Sequence, residues 1–221
     1  MALQAKPSTN VERAVEIHCG SHTLRGILHV PFGAEGMVAF AHGSGSGRLS
    51  PRNQFVARTL QQAGIATLLL DLLEEDEADD REKVFDIPLL AERLEAAGNW
   101  LTALGELSSL RLGYFGASTG AAAALVAAAH CPEMVSAVVS RGGRPDLASD
   151  DLPAVEAPTL LIVGGDDDVV IDLNQQAAAR LTCPHKLVII PGATHLFPEP
   201  GALEEVSGLA VDWFRKHLAG K

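Results

Sequence analysis

A serine flanked by glycines is the first candidate for chemistry in this sequence. Ser118 lies in the stretch GASTG, between the apolar run LRLGYF and a segment rich in alanine. The G-x-S-x-G pattern is typical of a tight turn from strand to helix that exposes the serine hydroxyl. A hydroxyl is a weak nucleophile, so it needs a base, and the base needs an acid that orients it. Such a set of three side chains would carry out acyl transfer.

His195 is the histidine best placed to act as the base. It lies in PGATHLFPEPG, the loop between the last predicted strand and the last predicted helix. The other histidines fall in an N-terminal hairpin, in helices, before a strand or in a glycine-rich loop. Because the carboxyl ends of parallel strands meet at one edge of a sheet, we expect His195 to reach Ser118.

Three consecutive aspartates are candidates for the acid. Asp166, Asp167 and Asp168 follow the apolar run LLIVGG and lie between Ser118 and His195 in the sequence. The order serine, acid, base is one of the known chain orders of a catalytic triad. One carboxylate would orient the imidazole and stabilise its cation. Periodicity alone does not choose among the three.

The glycine-rich stretch AHGSGSGR, residues 41–48, could bind a phosphate, form a plain turn or stabilise an oxyanion. A dinucleotide fingerprint needs G-x-G-x-x-G, whereas this stretch has G-x-G-x-G followed by Arg48. Because a predicted strand precedes it and the triad candidates follow, we interpret the stretch as an oxyanion loop. The expected N–H donors are those of Ser44 and of Thr119, which follows the nucleophile. His42 is interpreted as a residue that supports the loop.

Two arginines follow a predicted strand in the motif SRGGRPDL. Arg141 and Arg144 are candidate substrate-binding residues, because a guanidinium can hold a carboxylate or a phosphate through two hydrogen bonds. The alternative is that they pair with acidic side chains such as Asp146 or those of the EEDE stretch. The excess of acidic residues favours this alternative. The longer acidic stretch LEEDEADDREK is interpreted as a solvated loop.

The elements that must position these residues alternate along the chain. VERAVEIHC and TLRGILHV predict an antiparallel strand pair, and strands alternate with helices from residue 36 onwards. This pattern predicts an α/β fold with a mostly parallel sheet of about eight strands and helices on both faces. No large insertion follows the strand VSAVVSR, so we expect no large cap. Residues 12–221 would form one domain after a flexible tail, residues 1–11.

The composition of the chain limits the cellular compartment and the binding partners that we expect for the protein. The formal charge of −11 argues against nucleic acid and anionic membrane surfaces as partners. The sequence has no secretory leader pattern and no apolar run of the roughly 20 residues that span a bilayer, so we expect a soluble cytoplasmic protein. Cys19, Cys131 and Cys183 are interpreted as reduced core thiols. Their spacing from histidines does not suit zinc, and we expect neither a metal nor a cofactor.

Five motifs in order resemble the α/β-hydrolase fold, and within it a small, lidless, dienelactone-hydrolase-like family. They are HGSGSGR, GASTG, RGGRPDL, LLIVGGDDDVV and PGATHLFPEPG, and the resemblance covers residues 12–219. In this family the acid comes three residues after the first glycine of the strand-end turn, with a valine three residues further on. Gly164, Asp167 and Val170 match, so the resemblance implies Asp167 as the acid, with Asp168 as the alternative. Dienelactone hydrolases typically use a cysteine nucleophile, and Ser118 at that position favours a carboxylesterase.

The sequence therefore predicts a serine hydrolase that cleaves small or short-chain esters through an acyl-enzyme on Ser118. The expected partner is a small-molecule ester, and a homodimer is a candidate assembly. A thioesterase or a peptidase would use the same triad. A non-catalytic protein with the hydrolase fold is a further alternative, since fold does not imply function.

Overall fold

The computed structural model of the chain describes residues 10–219, and eight strands in this part form one sheet. Of the predicted tail, residues 1–11, the first nine residues lie outside the described part of the chain. The side chain of Asn10 accepts a hydrogen bond from the N–H of Phe32 at 2.6 Å, and the first strand begins at Val11. The strands are β1 Val11–Cys19, β2 His22–Val30, β3 Gly36–Ala41, β4 Ile65–Leu70, β5 Leu112–Ala117, β6 Val135–Arg141, β7 Thr159–Gly164 and β8 His185–Ile190.

The sheet is mostly parallel with an antiparallel N-terminal hairpin, as predicted. The strand order is β1-β2-β4-β3-β5-β6-β7-β8, and β3 to β8 run parallel to one another. The hairpin β1–β2 joins the sheet through an antiparallel pairing of β2 with β4. The chain leaves β3 towards β4 and returns to β5 on the other side, so the loops after β3 and β5 lie side by side at the switch in strand order.

The described part of the chain, residues 10–219, contains six α-helices. They are α1 Pro51–Gln62, α2 Arg81–Val84, α3 Ile87–Ala103, α4 Thr119–His130, α5 Asp168–Ala178 and α6 Ala202–Leu218. Helices α1 and α6 pack on one face around Phe40, Phe115 and Phe214, and α3 and α4 pack on the other. Every residue of β3, β4, β5 and β7 is buried, which explains their continuous apolar runs.

The apolar run HKLVII of strand β8 is typical of a buried strand, and that expectation is wrong. Only Ile190 is fully buried in it, and Ile189 is 40% exposed. The reason is position: β8 pairs only with β7, at the edge of the sheet. An apolar run alone does not distinguish a central strand from an edge strand.

The acidic stretch after β4 is more than the solvated loop that the sequence suggested. Glu77 is buried and binds Arg93 of α3 through both carboxylate oxygens, at 2.5 and 2.9 Å. Lys83 adds a bond of 2.9 Å, and these cations hold the pKa of the Glu77 carboxyl far below its ordinary value. The interpretation as solvent-facing charge is therefore wrong for Glu77, because its partner lies on a helix that local sequence does not place next to it.

The three cysteines were interpreted as reduced core thiols. All three are free; Cys183 is buried, whereas Cys19 and Cys131 are half-buried. Burial raises the pKa of each thiol, which keeps it protonated and unreactive. Within residues 10–219, no helix combines the length and the apolar character that crossing a bilayer requires.

Candidate active site

Ser118 occupies the turn between β5 and α4 in a backbone conformation that side chains rarely adopt. Its φ is 51° and its ψ is −122°. Its N–H donates to the carbonyl of Arg141 at 3.3 Å, and its own carbonyl accepts from the N–H of Arg144 at 3.0 Å. A Cβ on Gly116 would overlap the backbone of α4, and a Cβ on Gly120 would overlap the end of β3. Both glycines of the motif are thus required by close packing around the turn.

The predicted acid and base are in contact. His195 donates from Nδ1 to Oδ2 of Asp167 at 2.6 Å, which leaves Nε2 as the free basic nitrogen. Asp167 immediately precedes α5, and His195 lies in the loop after β8. The N–H of the neighbouring Asp166 donates to the carbonyl of Ala193 at 2.9 Å, and this bond connects the two loops. The structure brings together the pair that the resemblance implied.

The nucleophile and the base flank one short segment, Arg141–Gly142, at the end of β6. The carbonyl of Arg141 binds the N–H of Ser118. A Cβ on Gly142 would lie 2.9 Å from the carbonyl oxygen of His195 and 3.6 Å from its ring Cε1. Because Gly142 also has a φ of 50°, the chain can pass this close to the base only with a glycine.

Phe197 fixes the other side of the base loop. Its side chain is 2% exposed in the core beneath α6, and its φ is 55°, an unusual value for an aromatic residue. Its N–H donates to the carbonyl of Thr194 at 3.1 Å, which closes a turn around His195. The buried ring anchors a strained turn, so the base has little freedom to move away from the sheet edge.

The glycine-rich loop lies directly against the nucleophile. A Cβ on Gly43 would come within 2.8 Å of the Ser118 Cβ and 3.6 Å of its hydroxyl oxygen. Ser44 and Thr119, the two predicted oxyanion donors, line the same cavity of about 1260 Å³. Ser44 is exposed and Thr119 is buried, so the cavity reaches from the surface to the start of α4. Ser44 and Thr119 therefore border a common cavity, which is also lined by Gly43, the residue that lies against Ser118.

Both ends of this loop are attached to the segment that follows β4. At the start, Nε2 of buried His42 accepts a hydrogen bond from the N–H of Leu72 at 2.9 Å, while its Nδ1–H donates to the carbonyl of Gly43 at 2.9 Å. At the end, the N–H of Arg48 donates to Oδ1 of Asp71 at 2.6 Å, and the Arg48 guanidinium pairs with the other oxygen of that carboxylate. The sequence analysis assigned no role to Asp71, although the strands β3 and β4 are consecutive along the chain and their carboxyl ends lie side by side in the sheet.

The cavity beside the loop has a strongly acidic wall. Its carboxylates come from β1 and from the segment after β4: Glu16, Asp71, Glu74, Glu75, Asp76 and Asp79. Arg25 and Arg48 are the cations in this wall, and Arg48 is already paired. Most of the predicted solvated loop is therefore a wall of the cavity at the candidate site.

The two candidate substrate-binding arginines differ in their surroundings. Arg144 forms two hydrogen bonds with Asp146, at 2.8 and 2.7 Å, which is the alternative that the sequence favoured. Arg141 is 6% exposed, and its Nε and Nη1 have no hydrogen-bond partner. The acidic neighbour expected for Arg141 is absent among the described residues.

One cluster has the composition of a metal site. His22, Glu74 and Glu77 bring their ligand atoms within 4.8 Å of one another. Both oxygens of Glu77 are already bound by Arg93 and Lys83, and His22 is bonded to Glu74 at 2.6 Å. The protein's own cations thus neutralise these carboxylates, and the cluster is accounted for as an ion-pair network.

The chain is similar in sequence and in structure to proteins already known. Residues 53–217 match the model of the dienelactone hydrolase family. A dienelactone hydrolase from Anabaena variabilis, solved by crystallography, is 57% identical and superposes with a TM-score of 0.92, over 95% of this chain and 99% of that one. A serine hydrolase without a lid from Xanthomonas campestris shares the fold at 20% identity, with a TM-score of 0.78 over 97% of this chain and 98% of its own.

A relative from Mycobacterium tuberculosis carries a different name. It is 56% identical over 209 residues, and its name assigns it provisionally to the phosphoribosyl transferases. The match covers 95% of this chain but 47% of the relative, so the chain spans about half the length of the curated relatives it matches. The family match, the eight-stranded sheet and the lidless neighbour agree on the α/β-hydrolase fold. The chain belongs to the dienelactone hydrolase family, on the α/β-hydrolase fold.

Proposed function

We propose that the chain is a serine esterase that cleaves small or short-chain carboxylic esters. The observation that carries the proposal is the 2.6 Å hydrogen bond between His195 and Asp167, on a loop held against the segment that binds Ser118. This arrangement provides a nucleophile, a base with the correct free nitrogen and an acid that fixes the base.

The reaction would proceed by two acyl transfers. His195 Nε2 takes the proton of Ser118 as the hydroxyl oxygen attacks the ester carbonyl, and the developing oxyanion accepts from the N–H groups of Ser44 and Thr119. When the tetrahedral intermediate collapses, His195 returns the proton to the leaving alcohol. Water, deprotonated by the same nitrogen, then attacks the acyl-enzyme and releases the acid. Asp167 stays ionised and stabilises the imidazolium in both steps.

The shape of the site supports small substrates. Between β6 and β7, where a cap could be inserted, the chain forms only two short 3₁₀ turns, Pro145–Ala148 and Leu152–Ala154. The oxyanion loop borders a cavity with an exposed rim, so a substrate needs no large movement to enter. A site of this kind offers little apolar surface to a long acyl chain.

Other reactions of the same triad are distinguished by substrate. A thioesterase or a peptidase would use Ser118, Asp167 and His195 in the same roles, and only the leaving group would change. The transferase name belongs to relatives about twice the length of the matched segment, and it assigns nothing to this half by itself. No contact within the described residues favours a transferase site over a hydrolase.

The direct test is hydrolysis of 4-nitrophenyl acetate and butyrate, together with labelling by a fluorophosphonate. We expect turnover and stoichiometric labelling of the wild type, and loss of both in Ser118→Ala. A folded wild type that is not labelled would contradict the proposal. Matched oxygen esters, thioesters and amides of one acyl group then separate the three leaving-group classes.

A further inference from the structure

Two arginines without acidic partners meet at the edge of the sheet where the candidate site lies. Arg141 ends β6, and Arg52 is the second residue of α1. Neither guanidinium has an ion pair or a hydrogen bond among the described residues, and Nε of each is both sealed from solvent and unpaired. The chain has 28 acidic residues against 17 lysines and arginines, so partners were abundant. Two arginines left unpaired together in such a chain require an explanation.

The backbone shows that the two side chains belong to one layer. Val139 packs with the core beneath α1 and α6, and Arg141, two residues later on the strand, points to the same face. Arg52 lies one helical turn before Val56, which packs in that core. Burial, together with repulsion from Arg52, lowers the pKa of Arg141 to about 10. The guanidinium groups therefore face each other closely enough to interact.

The same arginine is joined to the nucleophile. The carbonyl of Arg141 accepts from the N–H of Ser118, and Gly142, the next residue, lies against His195. The Nη2 of Arg141 and both Nη nitrogens of Arg52 are not among the buried nitrogens that lack a hydrogen-bond partner. These three nitrogens can therefore still donate to a ligand. A group held by these nitrogens would be part of a molecule whose other part reaches Ser118.

We propose that Arg141 and Arg52 form a subsite for a dianionic phosphate group carried by the ester substrate. The charge of the two arginines indicates the chemical class of the ligand. One phosphate monoester, which carries a charge of about −1.5 to −2, neutralises two cations, whereas one carboxylate would leave a positive charge uncompensated. The N-terminus of α1, at which Arg52 lies, adds a dipole that favours an anion. The acidic cavity beside the glycine-rich loop repels such a group, which favours its binding at the arginines.

This inference rests on the proposed esterase activity and names its substrate class. The esters that test it are 4-nitrophenyl 4-phosphonobutyrate, mono-4-nitrophenyl glutarate and 4-nitrophenyl pentanoate. At a pH above the second pKa of the phosphonate, they present a dianion, a monoanion and a methyl group on acyl chains of similar length. We expect kcat/KM to be about 10- to 100-fold higher for the phosphonate than for the pentanoate, as hydrogen bonds to charged groups allow.

Two variants connect this preference to the arginines. Arg141→Met and Arg52→Met should each bring the phosphonate-to-pentanoate ratio of kcat/KM towards unity, and Arg141→Lys should give an intermediate ratio because it keeps the charge but loses the planar fork. Arg180→Met removes an exposed arginine of another helix end and should preserve the ratio. Methionine is suitable because an apolar side chain of similar volume commonly replaces a buried charge without loss of stability.

The proposal is overturned if the wild type shows no preference, if it prefers the glutarate over the phosphonate, or if both arginine variants keep the wild-type ratio. A binding measurement separates this failure from failure of the esterase proposal. Inorganic phosphate at constant ionic strength should raise the melting temperature of the wild type and of Ser118→Ala, but not that of Arg141→Met. If no ester is cleaved and this shift is present, the subsite stands and the esterase proposal fails. If esters are cleaved and the shift is absent, the subsite fails alone.

Discussion

Nε2 of His42 accepts a hydrogen bond from the backbone N–H of Leu72 at 2.9 Å. Because Nδ1 of the same ring donates to Gly43, the imidazole must be neutral and protonated on Nδ1. The start of the glycine-rich loop is thereby attached to the exit of β4, just as Arg48 and Asp71 attach its end. The position of the Ser44 N–H thus depends on residues outside the triad Ser118, Asp167 and His195.

This bond predicts how stability depends on pH. Burial lowers the pKa of His42 below its ordinary 6.5, so the unfolded chain binds the proton more readily than the folded one. The stabilisation is complete above 6.5 and is lost as the pH falls below that value towards the lower folded pKa. The slope approaches about 1.4 kcal/mol per pH unit.

The measurement is urea denaturation at several pH values, with His42→Gln as the comparison. Glutamine offers an acceptor but does not titrate, so its free energy of unfolding should depend less on pH between about 6.5 and 5. Glu77 contributes in a lower window, because its carboxyl has a lowered pKa and loses stabilisation only as the pH falls through its ordinary 4.5 and below. Parallel curves for the wild type and His42→Gln would exclude His42 as the source.

The contact between Asp167 and His195 predicts unequal roles for adjacent aspartates. Asp167→Asn should lower kcat by about 10⁴-fold, since an amide in this place favours the wrong imidazole tautomer. Asp168→Asn, one residue further at the start of α5, should keep kcat within a few fold. Steady-state kinetics on one 4-nitrophenyl ester compares the two variants. A larger loss in Asp168→Asn would reassign the acid.

Ser44 is predicted to act through its amide and not through its hydroxyl. Ser44→Ala should change kcat only slightly, whereas Ser44→Pro removes the donor and should lower kcat by about 100- to 1000-fold. A severe defect in Ser44→Ala would show that the donor is another group or that the side chain has a role of its own. Fluorophosphonate labelling of both variants reports whether Ser118 itself remains reactive.

Gly142 is predicted to be required for the position of the base. Gly142→Ala adds a Cβ 2.9 Å from the carbonyl oxygen of His195, so the loop must shift and kcat should fall by about 100-fold, as a misplacement of 1 Å can cost. Gly20→Ala is the matched control, because Gly20 also has a positive φ, 58°, but its Cβ would meet nothing within 4 Å. Both variants carry backbone strain, and only Gly142→Ala should lose activity beyond its loss of stability. Equal kinetics in the two would separate Gly142 from the site.

The local patterns of the sequence predicted the fold, the turn at Ser118 and the position of His195 for physical reasons. Buried parallel strands need continuous apolar runs, and the turn at Ser118 needs small residues on both sides. Both features can therefore be predicted from residues that are adjacent in the sequence. The choice among three aspartates did not come from such a pattern. It came from the spacing of a known family, and the observed hydrogen bond agrees with it.

The features that the sequence did not predict depend on contacts between distant segments. Glu77 and Arg93 are 16 residues apart, and nothing near either one indicates that they share a buried ion pair. Asp71 received no role because its partner, Arg48, belongs to another loop. Arg52 was likewise assigned no role, since nothing near it in the sequence indicates a cation without a partner. An unpaired arginine becomes visible only when all of its neighbours are known.

The positive φ of Ser118 sets heat resistance and turnover against each other. This conformation costs about 1 to 3 kcal/mol, which a glycine would largely recover. A population of variants screened only for survival at high temperature would therefore gain by placing glycine at position 118, and would lose the hydroxyl with it. Thermal screening of this fold is informative only when each round also requires catalysis.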